Sequence, residues 1–293
     1  MPTRRQLSDA AQTAVGPMTI VAVDQHEDVP LVRDQLAYRL LPASAKAAAA
    51  LAALTPVRRH VVAAAERKLP GLWASILCRK RYIDHQLRAA VRDGIEVAVV
   101  LGAGLDTRAY RVPGVTGLQF YEVDLPEASA RKRELIDKVY GKVPDHVTLV
   151  AADLDTQRPI DALATRGYED AQRAIFVCEA LTQYLCEDAV RRIFSSLSAA
   201  PSGSRLVFTY LREDFLDGTA LNGAEPAYRE YVLERGLWHF GFHPGHVAGF
   251  LAEYGWRELE QLGPDEYTER YLDPLSRPSP VSDIEVSVLA EKT

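Results

Sequence analysis

Hydrophobic residues fall into two textures along this chain, and the change comes at Asp93-Gly94. Upstream, apolar positions recur at helical spacing. Leu77, Tyr82, Ile83, Leu87 and Val91 share one face of a helix expected over residues 72–92. Residues 43–54 are rich in alanine and poor in charge, which favours helix. Pro56 sits near the start of another helix that runs to about Lys68 and is broken by Pro70-Gly71. A short helix is expected within residues 29–41, ended by Pro42. Residues 1–23 carry little readable signal. Residues 1–92 are thus expected to form a helical cap over a substrate, without strands.

Downstream, short apolar runs alternate with helical patterns. Strands are expected at residues 97–101, 118–123, 147–151, 173–178 and 205–210, with charged helices near 128–139 and 188–199. After the fifth strand the alternation stops. Residues 212–242 hold Phe215, Tyr228, Tyr231, Trp238 and Phe240, and a long insertion after a strand's carboxyl end reads as a lid. A helix over 244–254 and strands at 256–262 and 284–290 complete the chain. The expected fold is α/β: a doubly wound, mostly parallel, Rossmann-like sheet of seven strands over residues 93–293, with the helical cap and the lid.

Composition narrows the function without naming it. The chain has 293 residues, 47% hydrophobic, with a formal net charge of −6. That balance points away from nucleic acid and from membrane surfaces. Cys78, Cys178 and Cys186 form no framework spacing and are expected to be reduced thiols. No basic-then-apolar leader and no long apolar span is evident, so a soluble cytoplasmic protein is expected. Oligomeric state is not readable.

The candidate chemistry begins where the first strand runs into Gly102-Ala103-Gly104. Two glycines permit a tight turn and a close approach of backbone to ligand. The next three strands each end in an acid: Asp124, Asp153 and Glu179. Asp124, 22 positions after Gly102, suits the two ribose hydroxyls of a nucleoside. Asp153 can accept from an exocyclic amine, and Glu179 faces the crevice centre. Helix capping is the bland alternative for each acid. A nicotinamide dinucleotide and S-adenosyl-L-methionine compete for the site. The dinucleotide fingerprint wants a third glycine where Thr107 stands, which favours the methyl donor.

The stretch from Leu101 to Arg111, followed by Tyr121-Glu-Val-Asp-Leu-Pro126 with Lys132, resembles the leucine carboxyl methyltransferase family of class I S-adenosylmethionine-dependent enzymes. Arg79-Lys-Arg-Tyr-Ile-Asp84, Ala152-Asp-Leu154 and Cys178-Glu-Ala-Leu-Thr-Gln-Tyr-Leu185 extend the resemblance. Phe240-Gly-Phe-His-Pro244 and Glu269-Arg-Tyr-Leu272 are similar to its bacterial branch, which methylates small molecules such as polyketide acids. The resemblance implies S-adenosyl-L-methionine as cofactor and a small-molecule methyl acceptor in secondary metabolism. It implies that Arg81, or Arg79 one register away, pairs with the methionine carboxylate. Gly102, Ala103 and Gly104 would meet the methionine part, and Asp124 the ribose, with Glu122 beside it. Asp153 and Leu154 would bracket adenine, and Glu179 would face the methionine ammonium. The N-terminus departs from the family: Asp34-Gln35 replaces its acidic-Pro pair, and no basic residue aligns before it.

A carboxylate acceptor is ionised at neutral pH and needs no general base, whereas a phenol or alcohol would. Tyr184, Arg212, His239 and His243 are the candidate acceptor-binding residues; no catalytic base is assigned. His239, His243 and His246 have a spacing that suggests metal ligands on a loop, but Pro244 reads as a helix start and no metal is expected. An NAD(P)-dependent oxidoreductase and a non-catalytic S-adenosylmethionine binder remain as alternatives.

Overall fold

A computed structural model describes residues 13–293. Eight strands form one sheet: β1 Val97–Leu101, β2 Gln119–Asp124, β3 Val147–Ala151, β4 Ala174–Cys178, β5 Arg205–Arg212, β6 Gly241–Phe242, β7 Trp256–Leu262 and β8 Glu285–Lys292. The order is β3-β2-β1-β4-β5-β8-β7, with β6 paired to the end of β5. β1 to β5 run parallel, and β8 is antiparallel to both β5 and β7. The seven expected strands are all present. β6 is additional: two residues are too few to show alternation, and Phe242 is held by aromatic packing against Tyr210, Phe240 and Phe250.

The apolar runs are continuous because both faces of the sheet are covered. Ala98 and Val100 of β1, Phe120, Ile175, Val177 and Val207 face one core; Val99, Leu101, Val123, Phe176 and Phe208 face the other. The first core is closed by the Leu72–Arg92 helix through Leu77, Tyr82, Ile83 and Leu87. The same cluster takes in Met18, Val21 and Val23, so packing continues across residue 92 without a break. The second core is closed by the Glu187–Leu197 and Val247–Glu253 helices; Phe194 meets Phe208 and Phe250 at ring distances of 5.3 and 4.9 Å.

The N-terminal region is helical, as expected, but begins earlier. Val15–Asp24 is a helix with six buried residues. Its apolar side chains leave no polar stripe, so no amphipathic period marks it. The expected helix at 29–41 shrinks to Gln35–Leu40, because Asp34 caps it by accepting from the N–H groups of Leu36 and Ala37 at 3.0 Å. Helices Ala43–Leu51 and Thr55–Lys68 follow. None of the fourteen residues of Thr55–Lys68 is fully buried. Among the described residues, no helix is long and apolar enough to cross a membrane.

Gly71 starts the Leu72–Arg92 helix at φ 77°, and a Cβ there would lie 2.2 Å from the Ser282 backbone nitrogen. The Gly71→Ala variant combines left-handed strain with a backbone clash and is expected to lose about 2 kcal/mol or more of stability. Gly249 lies on the exposed side of the Val247–Glu253 helix, and a methyl group added there would meet nothing within 4 Å. Gly249→Ala should gain about 0.5–1 kcal/mol. Urea unfolding of both variants checks the pair; equal effects would contradict the packing described.

Candidate functional site

The strand order reverses around β1, whose neighbours β2 and β4 lead away to opposite sides. In open α/β sheets such a switch point forms a crevice at the carboxyl ends of the strands. Here the crevice holds two adjoining cavities. The first, about 220 Å³, is lined by the Gly102–Gly104 turn, Asp124, Asp153, Leu154 and Glu179, together with Arg79, Lys80, Asp106 and the start of the N-terminal helix at Val15 and Met18.

Gly102 and Gly104 have φ of 68° and 46°, conformations that glycine adopts without strain. The turn is tied to β2. Gly102 and Ala103 N–H groups donate to Val123 O at 2.9 and 3.1 Å. Gly104 N–H donates to Asp124 Oδ2 at 2.5 Å, and Leu125 N–H donates to Oδ1 at 2.7 Å. Burial pushes the Asp124 carboxyl up, against those two amide bonds and Lys132. Each carboxylate oxygen keeps a second lone pair, enough for two vicinal hydroxyls. Asp153 Oδ1 accepts from Asp155 N–H at 3.0 Å, and Leu154 packs beside it. Glu122 faces Lys132 at 2.7 Å and Tyr110 at 3.3 Å, and does not line the cavity.

Glu179 follows β4 and is gripped by three cations. Oε1 accepts from Arg79 Nε at 2.8 Å and lies 3.2 Å from Lys80 Nζ; Oε2 accepts from Arg108 Nη1 at 2.6 Å. Burial alone would raise its pKa, but Arg108, Lys80 and Arg79 hold the carboxyl well below its ordinary value. The network extends both ways. Arg79 reaches Glu285 of β8 at 2.6 Å. Arg108, only 1% exposed in its side chain, also bonds Asp106 and, at 3.0 Å, Asp84. Arg111 joins Asp84 at 2.6 Å to Asp34 at 3.1 Å, and Thr107 Oγ1 donates to Asp34. Thr107, Arg108 and Arg111 therefore serve the frame of the site.

The second cavity, about 550 Å³, shares Thr13, Pro17, Arg79, Ala180 and Tyr184 with the first. Its walls are mostly apolar: Ile20, Val61, Leu72, Trp73, Ile76 and Leu211. The insertion contributes Ala227, Tyr231, Arg235 and Trp238. Lys68 fastens the Thr55–Lys68 helix to that insertion, with Nζ 2.7 Å from Glu230 and 2.9 Å from the Tyr231 hydroxyl. Ala180 at the junction has φ 50°, an uncommon conformation for a residue with a side chain, and its N–H donates to Thr209 Oγ1 at 2.8 Å. Burial pushes the Tyr184 phenol up.

Four expectations are corrected. Arg81 lies outside both cavities, with its guanidinium 5.6 Å from the Tyr271 ring; two helical positions turn a side chain by roughly 200°, and Arg79 occupies the inward position instead. Arg212 pairs with Asp214 at 2.5 Å and lines neither cavity. His239 is exposed, and its backbone N–H donates to Gln183 O. His243 is exposed and its Nδ1 accepts from Gly245 N–H, capping the turn that follows. Among the described residues no His, Cys, Asp and Glu group is arranged to hold a metal ion. Lys80, Asp106, Gln183 and the Val15–Met18 stretch are cavity residues without a sequence assignment. Lys80 and Gln183 do lie inside motifs that the resemblance rests on.

Comparison with known proteins shows the family and the fold. Residues 14–198 match the family model described as leucine carboxyl methyltransferase. A Frankia alni protein named for S-adenosyl-L-methionine-dependent methyltransferase activity is 32% identical over 271 residues, 91% of this chain and 89% of the relative. A Mycobacterium tuberculosis protein of the same description is 31% identical over 65% of this chain and 64% of its own length. Among solved structures, a DUF574 family protein from Streptomyces avermitilis has a TM-score of 0.58 at 15% identity, covering 94% of this chain and 97% of that one. A Thermobifida fusca methyltransferase structure has a TM-score of 0.57 at 18% identity, covering 81% and 88%. At these identities the structures share the fold.

The charge network predicts an acid limit. A carboxyl depressed in the folded state adds stability that is complete above its ordinary value of 4.5 and is lost as pH falls through the folded value. Glu179→Gln should therefore lower stability at pH 7 and flatten the stability profile below about pH 4. Thermal unfolding across pH 3–7 tests this; a variant with the parent's acid slope would show that Glu179 is not the coupled group.

Proposed function

The chain belongs to the leucine carboxyl methyltransferase family, and on that premise we propose that it transfers the methyl group of S-adenosyl-L-methionine to a carboxylate oxygen of a small, largely apolar molecule. The observation that carries the proposal is the pair of cavities joined through Arg79, Ala180 and Tyr184. Methyl transfer from a sulfonium is an in-line displacement, so donor and acceptor must occupy adjoining sites aligned across one opening.

The first cavity suits this cofactor in its donor set. Asp124 meets vicinal hydroxyls, while Asp153 and Leu154 flank a base. Arg79 and Lys80 can hold an amino-acid carboxylate, and Glu179 its ammonium. Five lining carboxylates, Asp106, Asp124, Asp153, Asp155 and Glu179, outnumber the three lining cations Arg79, Lys80 and Arg131. A cavity of that balance favours a cationic sulfonium and disfavours a pyrophosphate. Asp106 sharpens the contrast with a dinucleotide site. Its carboxylate lines the cavity and accepts from the Arg108 N–H at 2.7 Å, taking the amide that a phosphate would use. When bound, the cofactor supplies the electrophilic methyl group.

The choice of a carboxylate rests on the character of the junction. Among the described residues, no histidine lines either cavity. Tyr184 is held protonated by burial, and Glu179 and Glu285 are both engaged by Arg79. An acceptor already ionised needs no proton removed. Tyr184, at the junction, is then positioned to orient it and to exclude water. The acceptor cavity is also what separates this reading from a protein that only binds the cofactor.

Isothermal calorimetry should show S-adenosyl-L-methionine binding and no binding of NAD or NADP. Asp124→Ala is expected to weaken that binding about tenfold or more, with an unfolding temperature measured alongside. Methyl transfer to a panel of aryl and alkyl carboxylic acids should give base-labile esters. Binding of a dinucleotide alone, or base-stable products only, would overturn the assignment.

A further inference from the structure

Of the described residues that line both cavities, Arg79 alone carries a charge. It is held between two carboxylates. Its Nε donates at 2.8 Å to Oε1 of Glu179, which lines the first cavity. Its Nη1 donates at 2.8 and 2.6 Å to the two oxygens of Glu285, which lines the second. Glu285 opens β8 opposite Leu211 of β5, so the sheet brings it to an arginine 206 positions earlier in the chain. The three side chains are 6%, 9% and 14% exposed, in the order Arg79, Glu179, Glu285.

A carboxylate offers about four lone-pair sites. On Glu179, Arg79 and Lys80 meet Oε1 and Arg108 meets Oε2, which leaves one site, on Oε2. Arg79 Nη2 makes no hydrogen bond to a described residue. Nε and Nη2 form the edge with which an arginine takes both oxygens of one carboxylate, yet Glu179 receives only the Nε bond. We propose that Glu285 is a positioning residue for the cofactor's amino-acid end. By holding Arg79 from the second cavity, it keeps the last Glu179 lone pair free for the ammonium and Nη2 free for the carboxylate. The inference rests on the placement of S-adenosyl-L-methionine in the first cavity, and assigns a residue outside that cavity to its recognition. Without Glu285 the guanidinium loses one of two opposing pulls. It can then close Nε and Nη2 on both Glu179 oxygens, a pairing strengthened by the low dielectric of a buried site. The ammonium loses its acceptor and the carboxylate its donor. Asp124, Asp153 and Leu154, which meet the nucleoside, are untouched.

The test titrates the full protein by calorimetry with S-adenosylhomocysteine and with methylthioadenosine, which keeps the nucleoside and the sulfur but lacks the amino-acid end. The parent protein should bind S-adenosylhomocysteine about tenfold or more tightly than methylthioadenosine. Glu285→Gln keeps the size and removes the charge. It should weaken S-adenosylhomocysteine about fivefold or more and leave methylthioadenosine within about twofold. Glu285→Asp restores the carboxylate and should recover most of the preference. Glu285→Ser, which lets water from the cavity reach Arg79, carries the same expectation if Glu285→Gln fails to fold. Equal weakening of both ligands, or of neither, overturns the proposal. Glu179→Gln is the reference for the site itself and should abolish the preference. If it does so while Glu285→Gln keeps the parent's preference, the role of Glu285 falls and the cofactor placement stands. Equal affinity of the parent protein for the two ligands overturns the placement, and the inference with it.

Discussion

One buried guanidinium organises this protein. Arg108 sits just after the glycine turn, sequestered from solvent, and bonds carboxylates from three places: Asp84 on the long helix, Asp106 in the turn and Glu179 beyond β4. Taking such ions out of water costs several kcal/mol each, and only close pairing offsets it. Removing one partner from such a set costs about 3–5 kcal/mol, since a charge is left behind in a medium that cannot screen it. The turn, helix and strand ends therefore cannot shift independently. Through Arg111 the arrangement reaches Asp34 in the N-terminal helices, and through Arg79 it reaches Glu285 on β8. The site is assembled by electrostatic necessity from segments about two hundred positions apart in sequence, a span its sheet topology already implies.

That frame explains a division of labour within the glycine-turn motif. Gly102 to Gly104 and Asp124 form a wall of the cofactor cavity. Thr107, Arg108 and Arg111 carry the same motif forward but turn away from the ligand, holding the wall in place. The net negative lining is the electrostatic complement of a sulfonium. Tyr184 and Arg79 line both cavities at the opening between them.

How much of this is legible in the sequence depends on burial and register. β1 to β5 are legible because helices cover both faces, leaving unbroken apolar runs bounded by polar ends. The acids Asp124, Asp153 and Glu179 are legible because they stand where parallel strands stop. Arg79 and Arg81 point to different sides of the helix whose phase Leu77, Tyr82, Ile83 and Leu87 set, but that pattern does not say which side borders the crevice. His239 and His243 attract attention by residue type alone, whereas their exposure is decided by the path of the insertion. The Val15–Asp24 helix hides because a helix buried on most sides has no polar stripe.

The Thr55–Lys68 helix lines the second cavity with Val61, Ala65 and Lys68, yet buries none of its own residues completely. Substitutions along it are thus cheap in folding terms, while those around Arg108 are costly. The stability cost of substitution is therefore expected to fall on the half around the glycine turn and to spare the helix over the second cavity. The lining of the second cavity can therefore be altered through this helix with little loss of fold stability.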